Sequence, residues 1–457
     1  MSQIALHEGD NRETLRRLID EGVRVHSVVT DPPYGLVSVT KRFGGEKAAP
    51  AKFGTDGAFS RASAGFMGSK WDGTGIERDP EFWRLVWEIL LPGGYCIAFS
   101  GARTGHWQAC AMETAGFIMH PMKGWVFGSG FPKAHNAAKA IDKKLGREGG
   151  VTPSGAPVKR MIPGAQQNAT GDWTKTDDRA YQPGQYEPAT PEAEQWSGWA
   201  YGTQATKPAL EPIYVGQKPF SEKDGVLNLL RWGVGAMNID SCRVATADDL
   251  NGGAYSADRK PSSSDWVKHG GTIHSYTGRH PANLVHDGSP EVVALFPSSG
   301  GSGPARTLQR SQIEERGGWG MNTTEGDTVD LRDAGTGSAA RFFNSFPVTD
   351  ADPVRYQAKA SKADRAGSKH PTVKPIALIE WLITLVTPPG GTVLDPFAGS
   401  GTTGQAARNL GFDCVLMEAD AQFAADIRRR FDLNSPVTTD FDDILCGTES
   451  PFADVLG

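Results

Sequence analysis

Residues 28–35, VVTDPPYG, place an acid, two prolines and a tyrosine directly behind a run of β-branched residues. Proline fixes φ and restricts the residue before it, so the carbonyls of such a turn are held in set directions. Asp31 adds an anionic acceptor and Tyr34 an aromatic face. Two acceptors and a stacking platform suit a planar group that carries an exocyclic amine; the plainer reading is a stiff stop behind a strand. A second constellation, VLDPFAGSGTTG at 393–404, reads as a strand ending at Asp395, a glycine-rich turn and a helix starting near Thr402. Gly399 and Gly401 would let backbone approach a ligand above the strand ends. The following strand ends in Glu418, 17 residues after Gly401, where an acid can accept hydrogen bonds from ribose hydroxyls. The pattern points to a nucleoside cofactor. It is not GxGxxG, so no pyrophosphate cradle is implied, and the missing lysine after Gly401 argues against a nucleotide triphosphatase.

Alternating elements must position these turns. NRETLRRLIDEG has helical spacing, with Asn11 as a candidate N-cap and Gly22 as a stop; VHSVVT reads as a buried strand. DPEFWRLVWEILLPGG reads as a helix ended by Pro92-Gly93-Gly94, and YCIAFSG as another buried strand. A helix over 104–115, a strand over 117–127 and a helix over 133–145 follow. Residues 369–430 return to the same alternation, which argues a parallel sheet covered by helices. Residues 148–368 lack a stable period and are rich in breakers, apart from two folded-looking islands, KPALEPIYVGQKPF…NLLRWGVGAMNIDSCRV and GRHPANLVHDGSPEVVALFP. The expectation is one α/β sheet assembled from two blocks, 1–147 and 369–430, around a loop-rich insert at 148–368, with an acidic tail at 431–457.

Composition fits that division. Gly 56 and Pro 30 among 457 residues predict long loops. The five cysteines form no CxxC pair, which speaks against a disulfide framework or zinc ribbon, and no metal site is expected among the insert's histidines. No apolar run is long enough to span a bilayer, the N-terminus lacks a signal-peptide core, and a cytoplasmic setting, in a bacterial or phage-infected cell, is expected. The net charge of −6 arises at the end of the chain, where 411–457 hold ten acids against three arginines. By contrast, 355–374 carry six Lys/Arg against one Asp. That run reads either as a solvated linker or as a phosphate-contacting segment through Arg355, Lys359 and Lys362.

Taken together, TDPPYG and DPFAGSGTT resemble the catalytic and FxGxG cofactor motifs of the β-class S-adenosylmethionine-dependent DNA amino-methyltransferases. The order is similar too: catalytic motif, target-recognition region, cofactor motif. HPTVKP at 370–375 and HEGD at 7–10 match short segments of the same family, and the two islands look like phage-associated members. The resemblance implies a Rossmann-like methyltransferase sheet with a target-recognition insert, S-adenosylmethionine as cofactor and double-stranded DNA as substrate. It implies Asp31, Pro32, Pro33 and Tyr34 at the reacting amine. Asp10, Phe397, Ala398, Thr402 and Glu418 would contact the cofactor, with Asp395 and the backbone of Gly399, Ser400 and Gly401 at its methionine end. Lys374 reads as a contact to the methionyl carboxylate or a phosphate, or as a solvated lysine. Trp125 and Lys133, within GWVFGSGFPKAH, could grip the flipped strand, or pack in the core. Cytosine-C5 chemistry is not indicated, because no cysteine follows a proline. The favoured activity is adenine-N6 methylation, since family cytosine-N4 enzymes usually carry Ser where Asp31 stands. Cytosine-N4 methylation is the alternative, and a non-catalytic DNA-binding protein that retains the fold is an alternative of another class. A homodimer and a restriction partner are left open.

Overall fold

The computed structural model describes residues 2–35, 74–153 apart from 131 and 133, 184–246 apart from 203, 278–299, 337–347, and 360–433 apart from 369 and 371. It also describes six two-residue strand pieces between 158 and 181 and between 307 and 330. In chain order the elements used below are β1 (Ile4–Glu8), α1 (Asn11–Asp20), β2 (Val25–Thr30), α2 (Pro80–Ile89), β3 (Leu90–Phe99), α3 (Gly105–Thr114), β4 (Ile118–Val126), α4 (Ala137–Lys144), β5 (Leu210–Gln217), β6 (Leu284–His286), β7 (Asn344–Ser345), α5 (Ile376–Val386), β8 (Thr392–Asp395), α6 (Thr402–Leu410), β9 (Asp413–Glu418) and α7 (Ala421–Phe431).

A nine-stranded sheet runs in the order β1-β9-β8-β2-β3-β5-β4-β6-β7. Strand β5 is antiparallel to both β3 and β4, and the other pairings are parallel. Side chains alternate between two cores, as the pleat requires. Val29, Ile97, Phe99, Val393 and Leu416 pack with α5, α6 and α7 on one face. Val28, Cys96, Ala98, Leu394 and Met417 pack with α1, α2 and α3 on the other. Strands covered on both faces read as unbroken apolar runs, which is why they stand out in the sequence.

The two-block expectation is corrected in one respect. Strands β5, β6 and β7 all come from 148–368, yet they extend the sheet beyond β3. Strands β5 and β6 fall in the two folded-looking islands, but β6 and β7 are only three and two residues long, too short for a period to place them in the sheet. Elsewhere the described insert holds short helices, such as Gly225–Trp232, and antiparallel hairpin arms. Gly150–Pro153 pairs with Gly184–Glu187, followed outward by 158–159 with 180–181 and 166–167 with 173–174, all antiparallel.

Local corrections have local causes. Asp10, not Asn11, caps α1, its Oδ1 accepting from the Arg12 and Glu13 N–H groups. Helix α2 stops at Ile89, and Leu90 through Gly94 already belong to β3. Among the described residues no helix is long and apolar enough to cross a membrane.

Candidate active site

The parallel strands β1, β9, β8, β2 and β3 all end at one edge of the sheet. In open α/β sheets ligands bind outside those carboxyl ends. The reversed β5 brings its first residues, Leu210 and Glu211, to the same edge. A cavity of about 610 Å³ opens there, lined by Gly9 and Asp10 after β1, the whole of Asp31–Tyr34 after β2, Glu211 on β5, Lys374, and Phe397, Gly399 and Glu418 after β8 and at the end of β9.

The turn after β2 is fastened from three sides. Thr104 Oγ1 donates to the Tyr34 carbonyl at 2.6 Å. The Tyr34 ring lies over Gly101, where a Cβ would stand 3.2 Å from it. Tyr34 OH donates to Asp31 Oδ1 at 2.9 Å. Lys374, 5% exposed, forms an ion pair with Asp31 Oδ2, and its Nζ lies 3.8 Å from Glu211 Oε2. The ammonium also sits over the Phe99 and Tyr34 rings, at 4.9 and 5.4 Å. Burial pushes the Asp31 carboxyl above its ordinary range; Lys374 opposes the shift and Glu211 adds to it. Burial, then the two acids beside it, push the Tyr34 hydroxyl well above its usual value.

At the other end of the cavity, Glu418 Oε2 accepts from Gly399 N at 2.7 Å and Oε1 from Asp420 N at 2.8 Å. Burial raises its pKa to about 7, against the pull of those two N–H groups. A carboxylate has about four acceptor positions, so further donors can be taken. Gly399, at φ +54°, runs so close to His370 that a Cβ would stand 3.1 Å from its ring. Gly9, at φ +121°, has nothing within 4 Å of where a Cβ would be. Phe397 packs on Phe82, ring centroids 5.2 Å apart.

Several expected contacts are rearranged. Asp395 is 3% exposed and does not line the cavity. Its Oδ1 accepts from Thr30 Oγ1 at 2.6 Å and Phe397 N at 3.0 Å, and its Oδ2 from Thr403 Oγ1 at 2.6 Å. Burial pushes its pKa to about 6, opposed by those donors. It therefore ties β2 to β8 and α6 rather than facing a ligand. Ala398, Ser400, Gly401 and Thr402 likewise build the turn behind the wall: Gly401 N donates to Ala398 O at 2.7 Å, and Ser400 Oγ shares a proton with Thr402 Oγ1 at 3.0 Å. Gly401, at φ +77°, faces α7, and a Cβ there would meet Phe431 and Ile427 at 3.1 and 3.2 Å.

Lys374 is not a solvated lysine: it is buried in the cavity wall as the partner of Asp31. Trp125 is fully buried against Phe127, so core packing replaces a grip on DNA. Lys133, Arg355 and Lys359 lie outside the described residues, as does the side chain of Lys362. Glu211 was not singled out by the sequence reading. The available signal was an acid beginning the apolar strand EPIYVG.

The model of the family described as DNA methylase matches residues 170–429. The type II methyltransferase M2.DpnII of Streptococcus pneumoniae is 39% identical over 71 residues, 16% of this chain and 26% of that protein. The type II methyltransferase M2.LlaDCHI of Lactococcus lactis subsp. cremoris is 35% identical over 69 residues, 15% of this chain. The chain thus spans 26% of the length of each of these curated relatives. The crystal structure of the M1.HpyAVI-SAM complex aligns with a TM-score of 0.37 at 14% identity, covering 95% of this chain and all of that one.

Proposed function

Because the chain belongs to the DNA methylase family, whose model matches more than half of its length, we propose that it transfers the methyl group of S-adenosylmethionine to the N6 amine of an adenine flipped out of double-stranded DNA. The observation that carries this reading is the place of Asp31: a carboxylate at the end of β2, sharing one cavity wall with Tyr34, and opposite a glycine-lined end that closes on Glu418.

The residues present fit the donor. The bare backbone at Gly9 and the close approach at Gly399 leave room that side chains would fill. Glu418 would take the ribose hydroxyls, Phe397 would lie against the adenosine, and the Gly9-Asp10 turn would complete that end. When bound, S-adenosylmethionine supplies an electrophilic methyl group on a sulfonium.

The chain's own task is to make a poor nucleophile reactive. The lone pair of an exocyclic amine is delocalised into its ring. Hydrogen bonds from its two protons to Asp31 and to the Pro32 carbonyl would localise that pair and fix its direction, which is positioning and electrostatic catalysis. Extruding the base costs roughly a few kcal/mol. Stacking on Tyr34, worth about 1–3 kcal/mol, offsets part of it. The preference for adenine rests on Asp31 at the head of the motif.

The test is to incubate the chain with isotopically labelled donor and unmethylated DNA and to separate the nucleosides after digestion. Label in N6-methyladenine is expected. Label in N4-methylcytosine overturns the choice of base, and donor binding without any transfer overturns the enzyme reading.

A further inference from the structure

Both Asp31 oxygens already hold a donor, and the acceptor positions that remain belong to a carboxylate whose charge Lys374 offsets. Oδ1 accepts from Tyr34 OH and Oδ2 is paired with Lys374. An amine that needs Asp31 as acceptor therefore meets a carboxylate already held by a cation. The second carboxylate, Glu211, reaches the same ammonium from the reversed strand, at 3.8 Å. That is about 1 Å longer than a charge-assisted hydrogen bond. A lysine end is a point charge with three donors on a flexible stem, so a movement of that size changes its closest partner.

We propose that Glu211 is a positioning residue for methyl transfer: it receives Lys374 when the target amine bonds to Asp31, leaving the Asp31 carboxylate its full charge as the substrate's acceptor while the cation stays paired. The inference rests on the methyltransferase reading above and adds a second acid to it. Its physical basis is charge balance. Two carboxylates share one ammonium in a buried setting, and each can hold it while the other turns to a different donor. Lys374 has little other room, being enclosed by the Phe99 and Tyr34 rings. Without Glu211, releasing Asp31 would leave a buried cation unpaired, which is costly. The groups facing Asp31 are Lys374 from the segment before α5, Glu211 from β5 and Tyr34 from its own turn, with Asp395 behind them on β8.

The experiment compares the parent chain with Glu211→Gln and Glu211→Asp in single-turnover methyl transfer to unmethylated plasmid DNA over a range of pH, alongside calorimetric binding of S-adenosylmethionine. Glu211→Gln should lower the transfer rate by about tenfold or more and leave donor affinity unchanged. Its acid limb should move to lower pH, because the neighbouring negative charge that holds the Asp31 proton has gone. Glu211→Asp, which keeps the charge, should recover much of the rate. An active parent with an unaltered Glu211→Gln rate overturns the inference, and so does a lowered rate with an unmoved acid limb, which would mean a packing role. A parent that transfers nothing overturns the functional reading first, and this inference with it.

Discussion

The two acids at opposite ends of the cavity should respond differently to substitution. Asp31 touches Tyr34 and Lys374 and lies away from Glu418 in the fold. Asp31→Ala should therefore bind S-adenosylmethionine normally by calorimetry and fail to methylate DNA; comparable methylation would remove Asp31 from the chemistry. Glu418 makes a pH prediction. Its carboxyl is raised to about 7, so donor affinity should fall as the pH drops through that value and the anionic acceptor is lost. Glu418→Gln should flatten this dependence and cost roughly 1.5–3 kcal/mol of affinity at alkaline pH, the size of one hydrogen bond to a charged group. The sign for stability is the reverse. Folding raises this pKa, so the folded state holds the proton more tightly than the unfolded chain. In the absence of donor the group lends stability as the pH falls through about 7 and withdraws it above.

Among the elements, the turn between β8 and α6 separates two tasks that the glycine spacing alone merges. Gly399 borders the cavity and Gly401 borders α7. A Gly401 at the cofactor's methionine end would make Gly401→Val a block to the cofactor. Its surroundings predict instead a packing defect: a left-handed backbone that costs a β-carbon about 1–2 kcal/mol, and new contacts with Phe431 and Ile427. Thermal unfolding should shift down by several degrees while the remaining folded protein still binds donor. A preserved melting temperature with lost binding would return Gly401 to the cofactor. Asp395 acts at the same scale, as a buried knot between Thr30, Thr403 and the Phe397 N–H. Because β2 leads into Asp31 and β8 into Phe397, this carboxylate ties together the two strands whose ends line the cavity.

At the scale of the molecule, the segment leaving β4 and returning at β5 is tied down near α4. Asp142 on α4 accepts from Tyr186 OH at 2.9 Å, Ala189 N at 2.8 Å and Thr190 Oγ1 at 2.6 Å. Removing 155–200 as a block would strip all three partners from Asp142. A narrower cut respects the ladder. Pro153 and Gly184 are Cα partners in an antiparallel pair, so replacing 154–183 with an Asn-Gly turn closes a two-residue hairpin of favoured type. That variant should remain soluble, with the parent's melting temperature and donor affinity. Loss of either would show that the arm supports the sheet.

The sequence by itself determined the local facts. The β-branched runs, the breakers behind them and the helical spacing of α1, α2 and α7 follow from periods of 2 and 3.6 that short windows display. Local pattern alone therefore sets TDPPYG and DPFAGSGTT at strand ends, and Glu418 at the next one. Tertiary structure alone decided direction, order and facing. Nothing in EPIYVG says that β5 runs against its neighbours, yet that reversal brings Glu211 to the carboxyl edge. Lys374 and Asp31 are 343 residues apart, so their pairing is invisible to any local pattern. Whether Gly401, Asp395 and Trp125 face a ligand or the core depends on what the folded chain packs against them, and in each case a helix, a strand end or a neighbouring ring took the space.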